Sequence, residues 1–379
     1  MAHPIHILHL HSTFALGGKE ARAVRLMNAF GDAARHTIVS AMPHQLGARD
    51  AIARGIRYEI AQDAPPLTGG LSVARFEAIA RFMRRFDLVL TYNWGAIDGV
   101  MARRVFPKNM PPVVHHEDGF NSDEATRLKP QRNYYRRFAL GAAHALAVPS
   151  HLLEVIARRA WGQPASRVHR IYNGIDTALY AKKPDANAIP GFKRKPGEFV
   201  VGAIAGLREV KDLPVLVRAV GGMPGRARLV IVGEGPERAA IAATAELMGI
   251  ADRVHLPGFL PDPHRYVGLF DVLALSSKSE QFPISVIEGM AAGLPIAAPA
   301  VGDIKEMVAA ANLPYIPADR HEVHLRDSLQ ALAAGHAEGR AWIGAQNRAK
   351  AVADYGETAM IARYAALYAD ALGRPGVFG

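Results

Sequence analysis

The feature that most constrains the fold of this 379-residue chain is an alternation of strand, loop and helix that runs along it twice. Short apolar runs end in polar or glycine-rich residues, and amphipathic helical segments follow them. Such alternation builds parallel sheets with helices on both faces. The pattern stops between residues 173 and 197, where Lys, Pro and Gly accumulate, and then restarts. Because single hydrophobic cores stop growing near ~250–300 residues, we expect two domains.

The predicted fold class is α/β, with two Rossmann-like β/α/β domains facing across a cleft. We expect an N-terminal domain over residues 1–176 and a C-terminal domain over 177–355. A helix over 356–379 is expected to pack back on the N-terminal domain. In doubly wound sheets, ligands bind at the carboxyl ends of the strands, so chemistry is sought there.

Composition narrows the function classes. Cys is absent, which excludes disulfides, thiolate chemistry and cysteine-based zinc sites. No apolar run approaches the ~20 residues of a membrane span, and the first ten residues lack the basic start of a secretory signal, so we expect a cytoplasmic protein. The net charge is +10, and the first 180 residues hold 23 Lys and Arg against 14 Asp and Glu. This asymmetry indicates either a general bias toward Arg or an anionic partner.

The most informative motif pairs two glutamates across a strand–loop–helix boundary. A strand ends near Ser276, the following loop carries Glu280, and Pro283 suits the first turn of a helix that carries Glu288. The free N–H groups of that turn, at Ile284 and Ser285, are predicted to form an anion site. A carboxylate at position 288 can accept two hydrogen bonds from a vicinal diol such as a ribose.

Further residues of the second half are predicted to lie at the same carboxyl-terminal edge of the parallel sheet. Arg208 and Lys211 follow a strand and could clamp a diphosphate beside the helix N-terminus. Gly233 belongs to a glycine-rich turn that permits close backbone approach, and Gly258 and Phe259 lie where a nucleobase could be held.

Together these motifs resemble the nucleotide-sugar domain of retaining GT-B glycosyltransferases of family 4, the group 1 type. The resemblance rests on Glu280-x7-Glu288, on Gly206-x-Arg208…Lys211, and on Gly233-x-Gly235-Pro236. It extends through 290–295 and 301–306 and includes the interdomain turn 173–176. It is thinner in the N-terminal half, where Gly17-Gly18-x-Glu20 fits the family's first glycine loop.

The resemblance implies a role for each matching position. Glu280 would grip the donor sugar, while Arg208 and Lys211 would stabilise the leaving diphosphate. Donor-binding positions would be Gly17, Gly18, Gly206, Gly233, Gly258, Phe259, Phe282, Pro283, Ile284, Ser285 and Glu288. Transfer would retain the anomeric configuration by front-side attack, with a UDP-sugar expected as donor before a GDP-sugar. No cofactor and no metal are expected, because the cations and the helix dipole supply the positive charge.

This chain departs from the family pattern at two places. Gln281 replaces the usual glycine after the first glutamate, which leaves the donor sugar open. The family often places a catalytic histidine after the fifth N-terminal strand, and here the alternatives are His115, His116 and Asp118. The sequence does not choose among them. We therefore carry Asp118 and His116 as candidate catalytic residues and His115 as a candidate for the acceptor.

The N-terminal domain is expected to hold a glycan or lipid-linked acceptor, in surface polysaccharide or glycolipid biosynthesis. Asn93 and Trp94 follow a strand and suit hydrogen bonding and stacking with a sugar. Basic amphipathic segments at 73–86 and 127–138 are either ordinary surface helices or contacts with an anionic membrane, which would make the enzyme peripheral on the inner face of the membrane.

Three alternatives are weighed. A nucleotide-sugar epimerase of GT-B fold would share the donor site without transferring the sugar. A non-catalytic binder of anionic ligands would account for the basic half, although no nucleic-acid-binding motif is recognisable and nucleic acid is not an expected partner. The His-rich and acidic run 115–124 could bind a metal, but no Asp-x-Asp motif occurs.

Overall fold

The computed structural model describes residues 3–120, 122–124, 127–225 and 227–378. Contacts group the chain into two units. Unit 1 comprises Met1–Gly119, Leu128–Asn173 and Ala359–Gly379, and unit 2 comprises Phe120–Arg127 and Gly174–Thr358. The chain therefore leaves unit 1 after Asn173 and returns to it at Ala359, against predicted bounds at 176 and 356. The predicted α/β fold with two parallel-sheet domains is confirmed.

Unit 1 contains a seven-stranded parallel sheet in the order β3-β2-β1-β4-β5-β6-β7. The strands are β1 (Ile5–His11), β2 (Ala34–Ser40), β3 (Tyr58–Ile60), β4 (Leu88–Tyr92), β5 (Val113–His116), β6 (Ala145–Val148) and β7 (Val168–Arg170). The helices between them are α1 (Gly18–Phe30), α2 (Val73–Met83), α3 (Ile97–Val105), α4 (Pro130–Leu140) and α5 (His151–Arg159). The first strand lies inside the sheet, between β2 and β4, as in doubly wound folds.

Unit 2 repeats this order on a smaller scale, as a five-stranded parallel sheet β10-β9-β8-β11-β12. The strands are β8 (Phe199–Ile204), β9 (Ala227–Val232), β10 (Val254–Gly258), β11 (Val272–Ala274) and β12 (Ile296–Ala297). The helices are α6 (Leu213–Gly221), α7 (Arg238–Leu247), α8 (Ile284–Ala291), α9 (Ile304–Met307), α10 (Glu322–Ala334) and α11 (Ala337–Asp354). None of the helices in the described ranges is long and apolar enough to cross a bilayer.

The last helix, α12 (Glu357–Leu372), completes the core of unit 1. Met360, Tyr364 and Tyr368 are buried in the same apolar cluster as the residues of β1 and α1. The Tyr368 ring meets the Phe30 ring edge-on, with centroids 6.0 Å apart. The core of unit 1 is thus built from two stretches of chain that are remote in sequence.

An unusual feature of this core is a group of buried histidines. Nε2 of His9 lies 3.0 Å from Nδ1 of His36, and Nδ1 of His9 lies 3.2 Å from the Tyr92 hydroxyl. The rings of His11 and His116 stack on Tyr92 with centroids 4.1 and 4.6 Å away. Burial lowers the pKa of His9 and His11 well below the ordinary value, that of His36 to about 4 and that of His116 to about 3. These four histidines are therefore neutral in the folded protein.

We expect unit 1 to lose stability as the pH falls from about 6.5 to 5. In the unfolded chain these histidines take up protons near their ordinary pKa of ~6.5, whereas in the folded chain they stay neutral. Each histidine therefore lowers the free energy of unfolding by up to ~1.4 kcal/mol for each unit by which the pH falls. Urea unfolding across this pH range measures the slope. His11→Phe should reduce the slope, and His44→Asn, at an exposed position, should not. Equal slopes for wild type and His11→Phe would contradict the prediction.

Candidate active site

The cavity with the predicted donor residues lies at the carboxyl ends of β8 and β11 in unit 2. Its lining includes Lys211, Ser276, Ser277, Glu280 and Ser285. The two loops that carry these residues are joined through the backbone, because the Lys278 N–H donates to the Val210 carbonyl over 2.8 Å. Residues up to 74 positions apart therefore meet because neighbouring parallel strands end at one edge of the sheet.

Glu280 is the centre of this cavity. The Lys211 ammonium and the Ser277 hydroxyl both donate to its Oε1 atom over 2.6 Å. Oε2 accepts no hydrogen bond from the described residues. The Ser276 hydroxyl donates to the Lys211 carbonyl over 3.0 Å and so fixes the backbone that carries the lysine. One carboxylate oxygen is thus saturated by protein groups, and the other is left for a ligand.

Arg208 is the second predicted cation. Its side chain is exposed and folds over Gly206, where an ideal Cβ would lie 3.3 Å from the Arg208 Nε atom. No carboxylate among the described residues forms an ion pair with it. An unpaired guanidinium beside the paired Lys211 leaves this strand end with positive charge available to an anion.

The second motif glutamate lies within α8. Glu288 is 9% exposed, and the Tyr180 hydroxyl donates to its Oε1 atom over 3.0 Å. At the start of the helix, Ile284 and Ser285 are partly exposed, as a ligand-binding turn requires. Phe282 and Pro283 are buried, and the Phe282 ring packs edge-on against Tyr355 with centroids 5.3 Å apart. The predicted contribution of Phe282 and Pro283 to donor binding can therefore come only from their backbone.

The turn after β9 lies directly against the turn after β8. Gly233 has a φ of 148°, and an ideal Cβ on it would lie 1.9 Å from the Ala205 carbonyl oxygen. Its N–H donates to the Gly258 carbonyl over 2.9 Å, which places the two glycines side by side. Phe259 follows with 54% of its surface exposed, so its ring is open to stacking.

Replacement of Gly233 by alanine is expected to destabilise unit 2 by more than ~3 kcal/mol, because the backbone must move to admit a methyl group. Gly225 is the matched control. It also has a positive φ, of 87°, but an ideal Cβ there would meet no atom of the described residues within 4 Å. Gly225→Ala should therefore cost only the backbone strain, about 1–2 kcal/mol. Denaturant unfolding measures both, and equal losses would show that contact with Ala205 is not the cause.

In unit 1, the predicted glycine loop leads into α1. Gly18 is the first residue of the helix, and an ideal Cβ on Gly17 would lie 3.0 Å from Oε2 of Glu20. Glu20 is buried and pairs with the Lys19 ammonium. Burial raises the pKa of Glu20 although Lys19 opposes the rise.

Asp118 forms a buried ion pair with Arg22, a residue of α1 that the sequence analysis did not single out. Arg22 donates to both carboxylate oxygens of Asp118 and to Oδ1 of Asn173, the last over 3.1 Å. Burial acts to raise the pKa of Asp118, but Arg22 outweighs it and the pKa lies below the ordinary value. Asp118 is therefore an ionised carboxylate, and each of its two oxygens accepts a hydrogen bond from Arg22.

The structure separates the three alternatives at the end of β5. His115 and His116 have no exposed surface, so neither can touch a substrate in this conformation. Nδ1 of His115 lies 2.7 Å from the Thr91 hydroxyl, and Nε2 of His116 lies 2.7 Å from the Tyr368 hydroxyl. Asp118 alone keeps some exposure, 13% of its side chain. The predicted direct roles of both histidines do not fit this burial.

The side chains of Asn93 and Trp94 both make contacts within unit 1. Asn93 has a φ of 57°, and its Oδ1 accepts the Asp118 N–H over 2.7 Å. The guanidinium groups of Arg132 and Arg136 each lie 5.0 Å from the Trp94 ring. Trp94 is therefore a partly buried residue whose ring packs against two guanidinium groups. It is not the exposed stacking platform that its position after β4 predicts.

The two basic segments also differ from each other. In α2 the apolar residues Phe76, Ile79 and Phe82 are buried within unit 1, and Arg75 pairs with Asp98 over 2.7 Å. In α4, by contrast, Tyr134 and Phe138 are 72% and 54% exposed. Among the described residues, no group of three or more His, Asp or Glu could hold a metal ion.

Comparisons with known proteins agree with this division into two units. The family model for glycosyl transferases group 1 matches residues 198–335, and the model for Glycosyltransferase Family 4 matches residues 16–179. N-acetyl-alpha-D-glucosaminyl L-malate synthase of Bacillus anthracis is 26% identical over 189 residues, which cover 49% of each chain. The chain spans about half or less of the length of the first curated relatives it matches.

Two longer matches extend the comparison. The 2-deoxystreptamine N-acetyl-D-glucosaminyltransferase of Streptomyces fradiae is 26% identical over 334 residues, 78% of this chain and 77% of the relative. The crystal structure of Anabaena HepE in complex with UDP and glucose superimposes with a TM-score of 0.79 at 19% identity, over 97% of this chain and 100% of that one.

Proposed function

Since the chain belongs to the family 4, group 1 glycosyltransferases of GT-B fold, we propose that it transfers a sugar from a nucleotide-sugar donor to a glycan or lipid-linked acceptor. The observation that carries the proposal is the grouping of Lys211, Glu280 and the unpaired Arg208 at the strand ends of unit 2. A UDP-sugar is the favoured donor, which is supported by the UDP bound to HepE. Surface polysaccharide or glycolipid biosynthesis is the favoured setting.

The proposed chemistry assigns one task to each group. Arg208 and Lys211 bind the diphosphate and stabilise the negative charge that grows on it as it leaves. Oε2 of Glu280 accepts a hydrogen bond from a hydroxyl of the donor sugar. Glu288 accepts hydrogen bonds from the ribose hydroxyls. The acceptor hydroxyl attacks the anomeric carbon on the face that the diphosphate leaves, so that configuration is retained and a diphosphate oxygen takes the proton. The protein thus supplies position and charge, and no enzyme nucleophile is needed.

The test is a thermal-shift panel with UDP, GDP, ADP and their common sugar conjugates. A ligand present at 100 times its Kd adds ~2.7 kcal/mol of stability and raises the melting temperature by a few degrees. A clear shift with one base identifies the donor class. If none of the nucleotides or their sugar conjugates raised the melting temperature, the proposal would be contradicted. Product analysis with a positive donor then distinguishes transfer from epimerisation of the donor.

Membrane association is a finer part of the proposal. The apolar face of α2 is already buried, so α4 with its exposed Tyr134 and Phe138 is the candidate segment. The Arg104 guanidinium lies 4.8 Å from the Phe138 ring, which adds positive charge beside it. Flotation with anionic liposomes, but not with neutral ones, is the expected result. Identical flotation with both would remove the membrane from the proposal.

A further inference from the structure

Tyr180 stands out because it touches the site from outside every motif recognised in the sequence. It lies in the connecting segment after the turn at 174–176, and its side chain is buried to 9% exposure. Its hydroxyl donates to Oε1 of Glu288, 108 positions further along the chain, over 3.0 Å. The hydroxyl therefore reaches the carboxylate to which the proposed function assigns the ribose.

The segment that carries Tyr180 is fixed to the body of unit 2. Arg265 donates to Oδ2 of Asp185 over 2.7 Å, and the Asp185 N–H donates to the Arg265 carbonyl over 2.8 Å. The Tyr180 ring also meets the His264 ring edge-on, with centroids 6.1 Å apart. The His264 ring packs against the phenol independently of its hydrogen bond to Glu288, and the two Asp185 contacts fix the segment five residues further along.

A fixed donor matters because a glutamate side chain is flexible. Its terminal torsion is broad, so an untethered carboxylate samples many planes. A donor on one oxygen restricts that plane, and a carboxylate has about four lone-pair sites, so the same group can also accept hydrogen bonds from hydroxyl groups of a ligand. Glu280 is restrained in the same way, by Ser277 and Lys211 on its Oε1 atom. The two motif glutamates thus share one design, in which a protein donor holds Oε1.

We infer that Tyr180 is a positioning residue that orients Glu288 for the ribose hydroxyls and so sets the preference of the site for ribonucleotides over 2′-deoxyribonucleotides. The inference rests on the proposed function, since it needs a nucleotide at this site. Tyr180 itself need not touch the ligand. Its effect passes through Glu288.

The experiment measures the Kd of UDP and of 2′-deoxy-UDP by calorimetry, or of the guanine pair if the wild type binds GDP more tightly. Tyr180→Phe keeps the ring and removes only the donor. We expect it to reduce the preference for the ribonucleotide about three- to tenfold, with most of the change in the affinity for UDP. A general loss of fold or packing would weaken the binding of both nucleotides equally and leave the ratio of their Kd values unchanged.

Ser328→Ala is the control. Ser328 is also buried in unit 2, and its hydroxyl donates to the His324 carbonyl of the same helix over 3.0 Å. The ribose preference should not change in this variant. In a Glu288→Gln background, Tyr180→Phe should reduce the preference for the ribonucleotide by a smaller factor than it does in the wild type, because both changes act through the same carboxylate.

The outcomes separate the two hypotheses. A wild-type protein that binds neither UDP nor GDP contradicts the proposed function. A wild type that binds and prefers the ribonucleotide, together with a Tyr180→Phe variant of unchanged preference, contradicts only the role of Tyr180. Equal changes in Tyr180→Phe and Ser328→Ala would likewise overturn it, because the loss of any buried hydroxyl group would then have the same effect.

Discussion

Replacing Lys211 with alanine is expected to lower kcat for sugar transfer by about 10²–10³-fold, the usual effect of removing one group that stabilises developing negative charge. The ammonium has two tasks in the structure. It faces the cavity at the end of β8, where the leaving diphosphate is proposed to bind, and it holds Oε1 of Glu280 over 2.6 Å. Its loss therefore removes positive charge and leaves the Ser277 hydroxyl, among the described residues, as the remaining donor to that oxygen.

Lys278→Ala is the control for this prediction. Lys278 lies in the same loop as Glu280, but its ammonium pairs with Glu209 at the surface over 3.2 Å. Its removal should change kcat by less than about twofold, as for most exposed ion pairs. Glu280→Ala should lose most of kcat as Lys211→Ala does. Near-normal turnover in either variant would overturn the proposed assignment of roles.

Replacing Arg22 with methionine is expected to destabilise unit 1 by about 3–5 kcal/mol, because it leaves the Asp118 carboxylate buried without its counter-charge. Arg22 is 2% exposed and supplies hydrogen bonds to both oxygens of Asp118 as well as to Asn173. Urea unfolding followed by circular dichroism measures the loss. A drop in melting temperature of roughly 2–4 °C per kcal/mol is expected for a folding unit of the size of unit 1.

A double variant tests whether the cause is the uncompensated charge. Asp118→Asn alone should also destabilise unit 1, since it leaves the guanidinium unpaired. The combination of Arg22→Met and Asp118→Asn should cost clearly less than the sum of the two single changes, because residues in direct contact are not additive. Additive losses would indicate that each side chain contributes through packing alone. The exposed Arg35→Met substitution should stay within ~0.5 kcal/mol of wild type.

Much of the fold and of the donor site follows from local sequence patterns. Parallel strands end at one edge of a sheet, so polar residues after β8 and β11 had to meet, and Lys211 and Glu280 do so. The alternation of β and α segments likewise predicts both sheets. These inferences need only the order of the elements and the residues that follow each strand.

Other features depend on contacts between remote residues, which no local pattern encodes. His115 and His116 cannot be distinguished from Asp118 without knowing that Tyr368, about 250 positions later, covers β5. Asp118 needs a cation, but nothing in the sequence identifies Arg22 as that cation. Trp94 appears exposed at a strand end until Arg132 and Arg136 are placed beside it. Tyr180 belongs to a linker by composition, and only the tertiary structure brings it to Glu288.

The return of the chain to unit 1 has a consequence for protein synthesis. The larger part of unit 2, Gly174–Thr358, lies between the second and third parts of unit 1, so roughly 185 residues must be translated after Asn173 before α12 is made. At elongation rates of about 5–20 residues per second, the nascent first unit waits some 10–40 s for its last helix. During that interval the apolar surface that Met360, Tyr364 and Tyr368 later cover is open. Unit 1 can therefore complete its core only after nearly all of unit 2 has been synthesised.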